Sequence, residues 1–392
     1  MLSVKALDDV LKSFYLEVVA KQINCGASPL YDKIEKSSVN VNGKNATVPV
    51  YYGVNGGLIT TDDDGAILPE SGSTLRATLQ VPLRNVYGVI EITDKALRLT
   101  KDNVDGVIDV LGTEIQSMIK SARHSLNRML WTDGIGFLGT VTELNTSGYY
   151  NPLYPVNSVR LFTPGMKVDV YRGATKLYSG LRVADVIHDA NEIVFQYIVP
   201  TDKPLQEGDK IYVSNSLTTE LQGLPYLFTE EDDMYFNQFK SDHYGLQGTQ
   251  RDLGEEFTTE EMQDFLDLLE TRSDTSPDLI VCDKKLRRSY ISYLQANRTN
   301  IDYLNLDGGF RTLSYNGIPL YAERFCPPQE MYFINTDNFK MVQLNDWEWL
   351  EGNSGSILNR LDSKAAYQAV LTKYCNYVAT VPSSMGRLYN II

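Results

Sequence analysis

Residues 75–93, LRATLQVPLRNVYGVIEIT, and 101–131, KDNVDGVIDVLGTEIQSMIKSARHSLNRMLW, decide the fold. The first alternates apolar and polar residues as a strand does. The second carries Val104, Val107, Ile108, Leu111, Ile115, Met118, Ile119, Ala122, Leu126, Met129 and Leu130 at helical spacing. Some 27 residues at ~1.5 Å rise make a rod roughly 40 Å long, more than twice the usual globular helix. Such a rod predicts a spine lying across a domain. Upstream, TVPVYYGV (47–54) also alternates, and NGGLITTDDDGAILPESGS (55–73) separates it from the second strand. Two long strands with a Gly-rich, acidic tip predict a protruding hairpin. A hairpin cannot bury both faces alone, so it requires a partner from its own fold or from another subunit.

Working outward, Leu2 to Ile23 has helical spacing that stops near Gly26, and the polar stretch to Lys44 reads as an extended arm. Between Tyr154 and Leu224, short runs rich in Val, Ile and Tyr recur about every ten residues with Gly and Asp turns, the signature of a small sandwich or barrel. Downstream, 258–273 opens with a Thr cap and early glutamates and reads as helix, followed by strand 278–282 and helix 284–298. Strands then follow at 310–325, 331–344 and 365–381, with a tight turn at Tyr315-Asn316-Gly317. The class is α+β.

Length and composition narrow the function. The 392 residues suit two or three domains, and 43% apolar content supplies their cores. Thirty-six Lys and Arg against fifty Asp and Glu leave a net charge of −14, which argues against a sequence-specific DNA reader with its basic face. No apolar run reaches the ~18 residues of a membrane span. The amino terminus has no basic head or small-residue cleavage site and is not expected to be a signal peptide. Cys25, Cys282, Cys326 and Cys375 lie far apart, as reduced thiols in a cytosolic setting do. Tyrosines outnumber phenylalanines 25 to 13, which suits surfaces that are apolar on one side and wet on the other.

Motifs that would announce chemistry fail on context. GIGFLG (134–139) has the dinucleotide-binding spacing, but it follows a helix and precedes a strand, the inverse of the order that motif needs. It reads as a helix stop and turn. Asp62-Asp63-Asp64-Gly65 would place Thr60 and Ser71 where a calcium loop needs Asp and Glu, so it reads as a solvated tip. His124, His188 and His243 stand apart from one another and from cysteines, leaving no zinc spacing, and no nucleophile elbow occurs. No catalytic, cofactor-binding or metal-binding residue is assigned, and the chain is not expected to be an enzyme.

The hairpin-plus-spine segment resembles the major capsid proteins of tailed bacteriophages. The likeness runs through VPVYYGVNGG, LPESGSTLRATLQVPLRNVYGVIEITDKAL and SARHSLNRMLWTDGIGFLG. It resumes at DLIVCDKKLRRSYISYLQANRTNIDYLNLDGGFRTLSYNGIPLYAERFCP and MYFINTDNFKMVQLNDWEWLEG, and covers most of residues 45–385. It implies an N-terminal arm (1–45), an extended-loop hairpin (46–92), a peripheral domain with the spine helix (93–153), an inserted all-β module (154–222), an axial domain (223–350), and return strands with the C-terminal tail (351–392). It further implies a homo-oligomer of hexamers and pentamers in an icosahedral head, in the virion after assembly in the host bacterial cytoplasm. That head encloses double-stranded DNA without reading its sequence and has no membrane.

Only about 45 residues precede the hairpin, so a separate scaffolding protein is expected, with a portal and decoration proteins as further partners. Residues 45–94 contain no Lys, so the Lys–Asn cross-link of some members is not expected. Tyr51, Tyr52, Leu58, Ile67, Leu68, Arg76, Arg84 and Tyr87 are the candidate inter-subunit contacts. Two alternatives stand beside this reading: a bacterial nanocompartment shell of the same fold, and a soluble ligand- or glycan-binding protein using the 154–222 module.

Overall fold

The computed structural model describes residues 16–24, 28–58, 60, 72–95, 104–143, 153–197, 199, 203–229, 234–255, 258–296, 303–306, 310–352 and 355–392; the side chains of 16–18, 104–111, 303–306, 310 and 311 are outside that description. The hairpin tip with Asp62–Asp64, Ile67 and Leu68, the first half of the amino-terminal helix, and Glu230–Asp233 therefore lie outside the described residues.

The spine helix runs Val104–Leu130. Ile115, Met118, Ile119, Leu126, Met129 and Leu130 are buried, as their spacing requires. It lies across a sheet centred on the long strand Ala366–Ala379. Arg84–Thr93 pairs antiparallel along one edge of that strand, from Ala366 opposite Thr93 to Cys375 opposite Arg84. Phe339–Gln343 pairs along the other, and Glu35–Ser37 adds to it in parallel. Strand and helix approach closely: a Cβ at Gly88 would sit 3.0 Å from Met118 Sδ.

Two expectations are corrected here, and an open one is decided. Residues 75–93 are not one hairpin strand. Leu75–Pro82 belongs to the hairpin, and Arg84–Thr93 has crossed into the spine sheet. The Leu83 amide still donates to the Lys44 carbonyl at 2.9 Å in the hairpin's own register, and the change of sheet comes at the next residue, Arg84, which stands opposite Cys375. Of its two options, the hairpin takes a partner from its own fold. Asn45–Tyr52 pairs with Leu75–Pro82, and its inner face (Ala46, Val48, Val50, Ala77, Leu79, Val81) is buried in the subunit's own core.

Finally, the segment after the first helix is no loose arm. Ser28 caps a short helix, Pro29–Lys33, whose Leu30 and Tyr31 are buried. The Ser-Pro cap is a local signal that no hydrophobic period could reveal in five residues. The preceding helix, Leu16–Asn24, packs on the spine through buried Val19 and Ile23, with Arg123 Nε donating to the Gln22 carbonyl.

The β-rich segment is a six-stranded sheet, in order Phe137–Thr140, Lys210–Val213, Lys167–Arg172, Thr175–Ile187, Glu192–Phe195 and Leu153–Pro155. The Val141–Val156 bridge, with Thr142 N donating to Pro155 O and Asn157 N to Thr140 O, ties the first strand to the last and closes a small barrel. The barrel also takes in Phe137–Thr140, ahead of the run that sequence patterning singled out. The GIGFLG segment supplies this entry as a turn: Gly134 and Gly136 have φ of +90° and +78°, which favours glycine.

The third body is a seven-stranded sheet in order Thr249–Asp252, Gly386–Tyr389, Met331–Ile334, Leu279–Cys282, Ile318–Ala322, Phe310–Tyr315 and Tyr303–Leu306. Helices Thr259–Ser273 and Lys284–Ala296 cover it and share its core through Met262, Phe265, Leu269, Leu286 and Tyr290. Thr258 caps the first by accepting from Glu261 N, and Asn316-Gly317 makes the tight turn with both φ positive.

Candidate assembly surfaces

The hairpin presents two different faces. Asn237 and Gln238 fasten the free edge of Leu75–Pro82, and His243 takes the end of the paired strand. Asn237 Oδ1 accepts from Gln80 N at 2.7 Å, and the side-chain amides of Asn237 and Gln238 donate to Thr78 O at 3.3 and 3.0 Å. Tyr52 hydrogen-bonds His243 Nδ1, and Gly245 lies so close that a Cβ there would meet the Tyr52 side chain at 2.6 Å. Tyr52 is therefore committed within its own subunit. Tyr51 and Arg76 sit opposite each other on the outer face, with Tyr51 exposed. Leu58, toward the tip, is 90% exposed, as are neighbouring Val54 and Leu75 to lesser degrees.

A second surface lies on the spine sheet, on the side away from the helix. Tyr87 stands opposite Thr372 and Val89 opposite Val370, and the Leu350 amide donates to Val370 O. Tyr87, Val89 and Leu350 are about half exposed (54%, 55% and 49%), and the Tyr87 ring meets Tyr374 edge-on at 6.5 Å. Burial, with Tyr374 second, raises the Tyr87 phenol's pKa. Tyr87 and Val89 on one side of Ala366–Ala379 and Leu350 on the other share one face of the sheet, with Val370 and Thr372 between them. Val89 and Leu350 were not singled out from the sequence. A signal was present: apolar residues at both parities (Tyr87 and Val89, Val86, Ile90 and Ile92) mark a strand meant to be covered on both faces. Arg84 is half-buried at the hairpin's foot.

Buried polar groups join these bodies. Arg128 on the spine and Glu220 after the barrel form a bidentate pair, Nη1 to Oε2 at 2.9 Å and Nη2 to Oε1. Lys373, with its side chain wholly buried, reaches Asp346 at 2.7 Å, and Asp346 also accepts from Asn24. Inside the barrel, burial alone would raise the Asp169 pKa, but hydrogen bonds from Lys176, Gly180, Asn215 and Ser214 hold it at about 2. His124 lies beside Thr163, its Nε2 2.7 Å from Oγ1. Burial, then Arg324 and Arg128, lowers its pKa to about 4, so it is neutral near pH 7.

Cys282, Cys326 and Cys375 are free and buried, and burial pushes all three thiols up. Such thiols are inert. His188 stands exposed on the barrel and His243 serves the hairpin, so the three histidines do not converge. Among the described residues no three His, Cys, Asp or Glu groups are placed to hold a metal ion, and no helix is long and apolar enough to cross a membrane.

No protein-family model and no curated protein matches the chain by sequence. Solved structures do match. The cyanophage A-1(L) capsid asymmetric unit is similar at TM-score 0.53 and 12% identity, over 91% of each chain. Looser likenesses are the holo-SrpI encapsulin complex from Synechococcus elongatus PCC 7942 (TM-score 0.45, 10% identity, 93% of this chain and 89% of that one) and the satellite phage P4 procapsid (TM-score 0.43, 11% identity, 97% and 99%). With its hairpin, spine helix, two sheets and barrel, and its likeness to the cyanophage subunit over 91% of each chain, this chain has the fold of a phage capsid protein.

Proposed function

We propose that the protein is the major subunit of a phage head, structural rather than catalytic, assembling as hexamers and pentamers into an icosahedral shell around double-stranded DNA. The observation that carries this reading is the capsid fold over 91% of the chain. The spine-sheet face that carries Tyr87, Val89 and Leu350 supports it, because half-exposed apolar residues sharing one face of a sheet suit burial between subunits. Contacts between unlike surfaces of identical copies close into rings when the rotation closes, which is how one chain builds pentamers and hexamers. The acidic balance of −14 suits a wall that releases rather than grips its genome. A scaffolding protein, a portal and decoration proteins are the partners such a head requires, and the virion is its location.

Sedimentation velocity over a hundred-fold concentration range tests the reading. Discrete five- and six-fold rings or shells that grow with concentration are expected. A monomer at every concentration, with or without a scaffold, would overturn it. Shells from the producing cell are expected to hold nuclease-resistant DNA, and a protein cargo in its place would make the particle a nanocompartment instead.

A further inference from the structure

One cavity unites the spine sheet, the spine helix and the loop that leaves the barrel. It measures about 590 Å³ and is lined among others by Arg84, Tyr87, Ser125, Arg128, Ser216 and Glu220. Two arginines meet there with unused donors. Arg128 is 2% exposed and spends Nη1 and Nη2 on Glu220, but its buried Nε–H has no acceptor. Arg84 also has a buried Nε without an acceptor, and its guanidinium makes no ion pair among the described residues. Counting charges, two arginines face one carboxylate. Water could accept from the free N–H groups but cannot supply the missing negative charge. An oxyanion supplies both, and a guanidinium fork fits a carboxylate in bidentate fashion. A buried donor left unmade is destabilising, so a site with two of them favours an occupant.

We propose that this cavity is an oxyanion site that receives a carboxylate from an acidic stretch of a second copy. The proposal rests on the shell reading for its partner, while the site itself rests on the arginines. Charge complementarity identifies the donor: the chain has fifty acids to thirty-six bases, and two runs, Asp62–Asp64 and Glu230–Asp233, concentrate them.

The test is titration calorimetry on the full chain, held below the concentration at which it assembles. Three probes are used: synthetic peptides of residues 60–72 and 228–235, each with an Asp/Glu-to-Asn/Gln control, and inorganic phosphate. Saturable binding of at least one acidic peptide, weakened tenfold or more by Arg84→Gln, restored in part by Arg84→Lys and absent with its neutral control, is expected. Binding of neither peptide, equal binding of the neutral controls, or binding of phosphate alone would overturn the proposal. The thermal midpoint of Arg84→Gln must match that of the parent, since Arg84 holds no partner whose loss would unfold the chain. Electron microscopy reads the shell separately. Peptide binding without shells would keep the site and remove the shell reading, and shells without peptide binding would do the reverse.

Discussion

Replacing Arg128 by Met isolates what fastens the spine to the barrel. Arg128 and Glu220 are 2% and 5% exposed and bond through two parallel contacts, so the substitution strands a buried carboxylate. Breaking such a pair from one side costs about 3–5 kcal/mol, because the remaining charge keeps its desolvation penalty and loses its partner. With an unfolding entropy of about 2.1 cal/mol/K per residue, a 392-residue chain loses roughly 4–6 °C of melting temperature for that cost. The double variant Arg128→Met, Glu220→Leu removes both charges and fills similar volume, so it is expected to recover most of the loss. Scanning calorimetry of the parent, both single variants and the double variant at one protein concentration gives the full cycle. Single variants within about 1 °C of the parent, or a double variant as unstable as the sum of the singles, would refute the assignment of this pair as a coupled buried contact.

Other outcomes follow from the same geometry. Ile115→Asp places a charge on the buried face of the spine with no partner, and should abolish soluble yield or lower stability by several kcal/mol (about 4, by the cost of an unpaired buried charge), read from expression and melting. Shortening the tip between Asn55 and Gly72 should leave folding intact, since the Asn45–Tyr52 ladder and its Asn237 anchors remain, while shell assembly fails; a truncated chain that assembles as well as the parent would count against the hairpin's role.

His124 makes stability pH-dependent. Its native pKa of about 4 lies below the unfolded value of 6.5, so the unfolded chain binds the proton first and stability falls as pH drops from about 6.5 to 4. His124→Gln should flatten that window in urea midpoints. Asp169, held at about 2 in the native state, acts lower: its stabilisation is present above pH 4 and is lost as pH falls toward 2, and Asp169→Asn should remove that dependence.

The elements that were legible in the sequence are those with long or strongly local signals. The spine was readable because eleven apolar residues repeat at one period, and the Asn316-Gly317 turn because its φ values demand that pair. Thr258 announced its helix by the same local logic. What escaped was decided by contacts distant in sequence. The change of sheet after Leu83 depends on Arg84–Thr93 pairing with the distant strand Ala366–Ala379, and Pro82 alone did not say that the chain would change sheets. The docking of the hairpin depends on Asn237, His243 and Gly245, 159 to 193 residues away from their partners, and no periodicity couples them to Thr78 or Tyr52. Phe137–Thr140 joins the barrel through pairing with Lys210–Val213, so a reading by local run alone starts the module too late. Of the contact candidates, Tyr51, Leu58, Arg76 and Tyr87 reach the surface, Tyr52 turned inward to His243, and Ile67 and Leu68 lie outside the described residues. Arg84 could be singled out from sequence, but its missing partner could not, because that requires knowing that Arg128 and Glu220 converge on it.

The central claim is that this chain builds a closed shell from copies of itself. Electron microscopy of the purified protein, alone and with its scaffold, tests it most directly. The account predicts closed particles or five- and six-membered rings, with Tyr87, Val89 and Leu350 covered at the contacts between subunits. A uniform field of monomers under both conditions, with that patch still open to solvent, would contradict it.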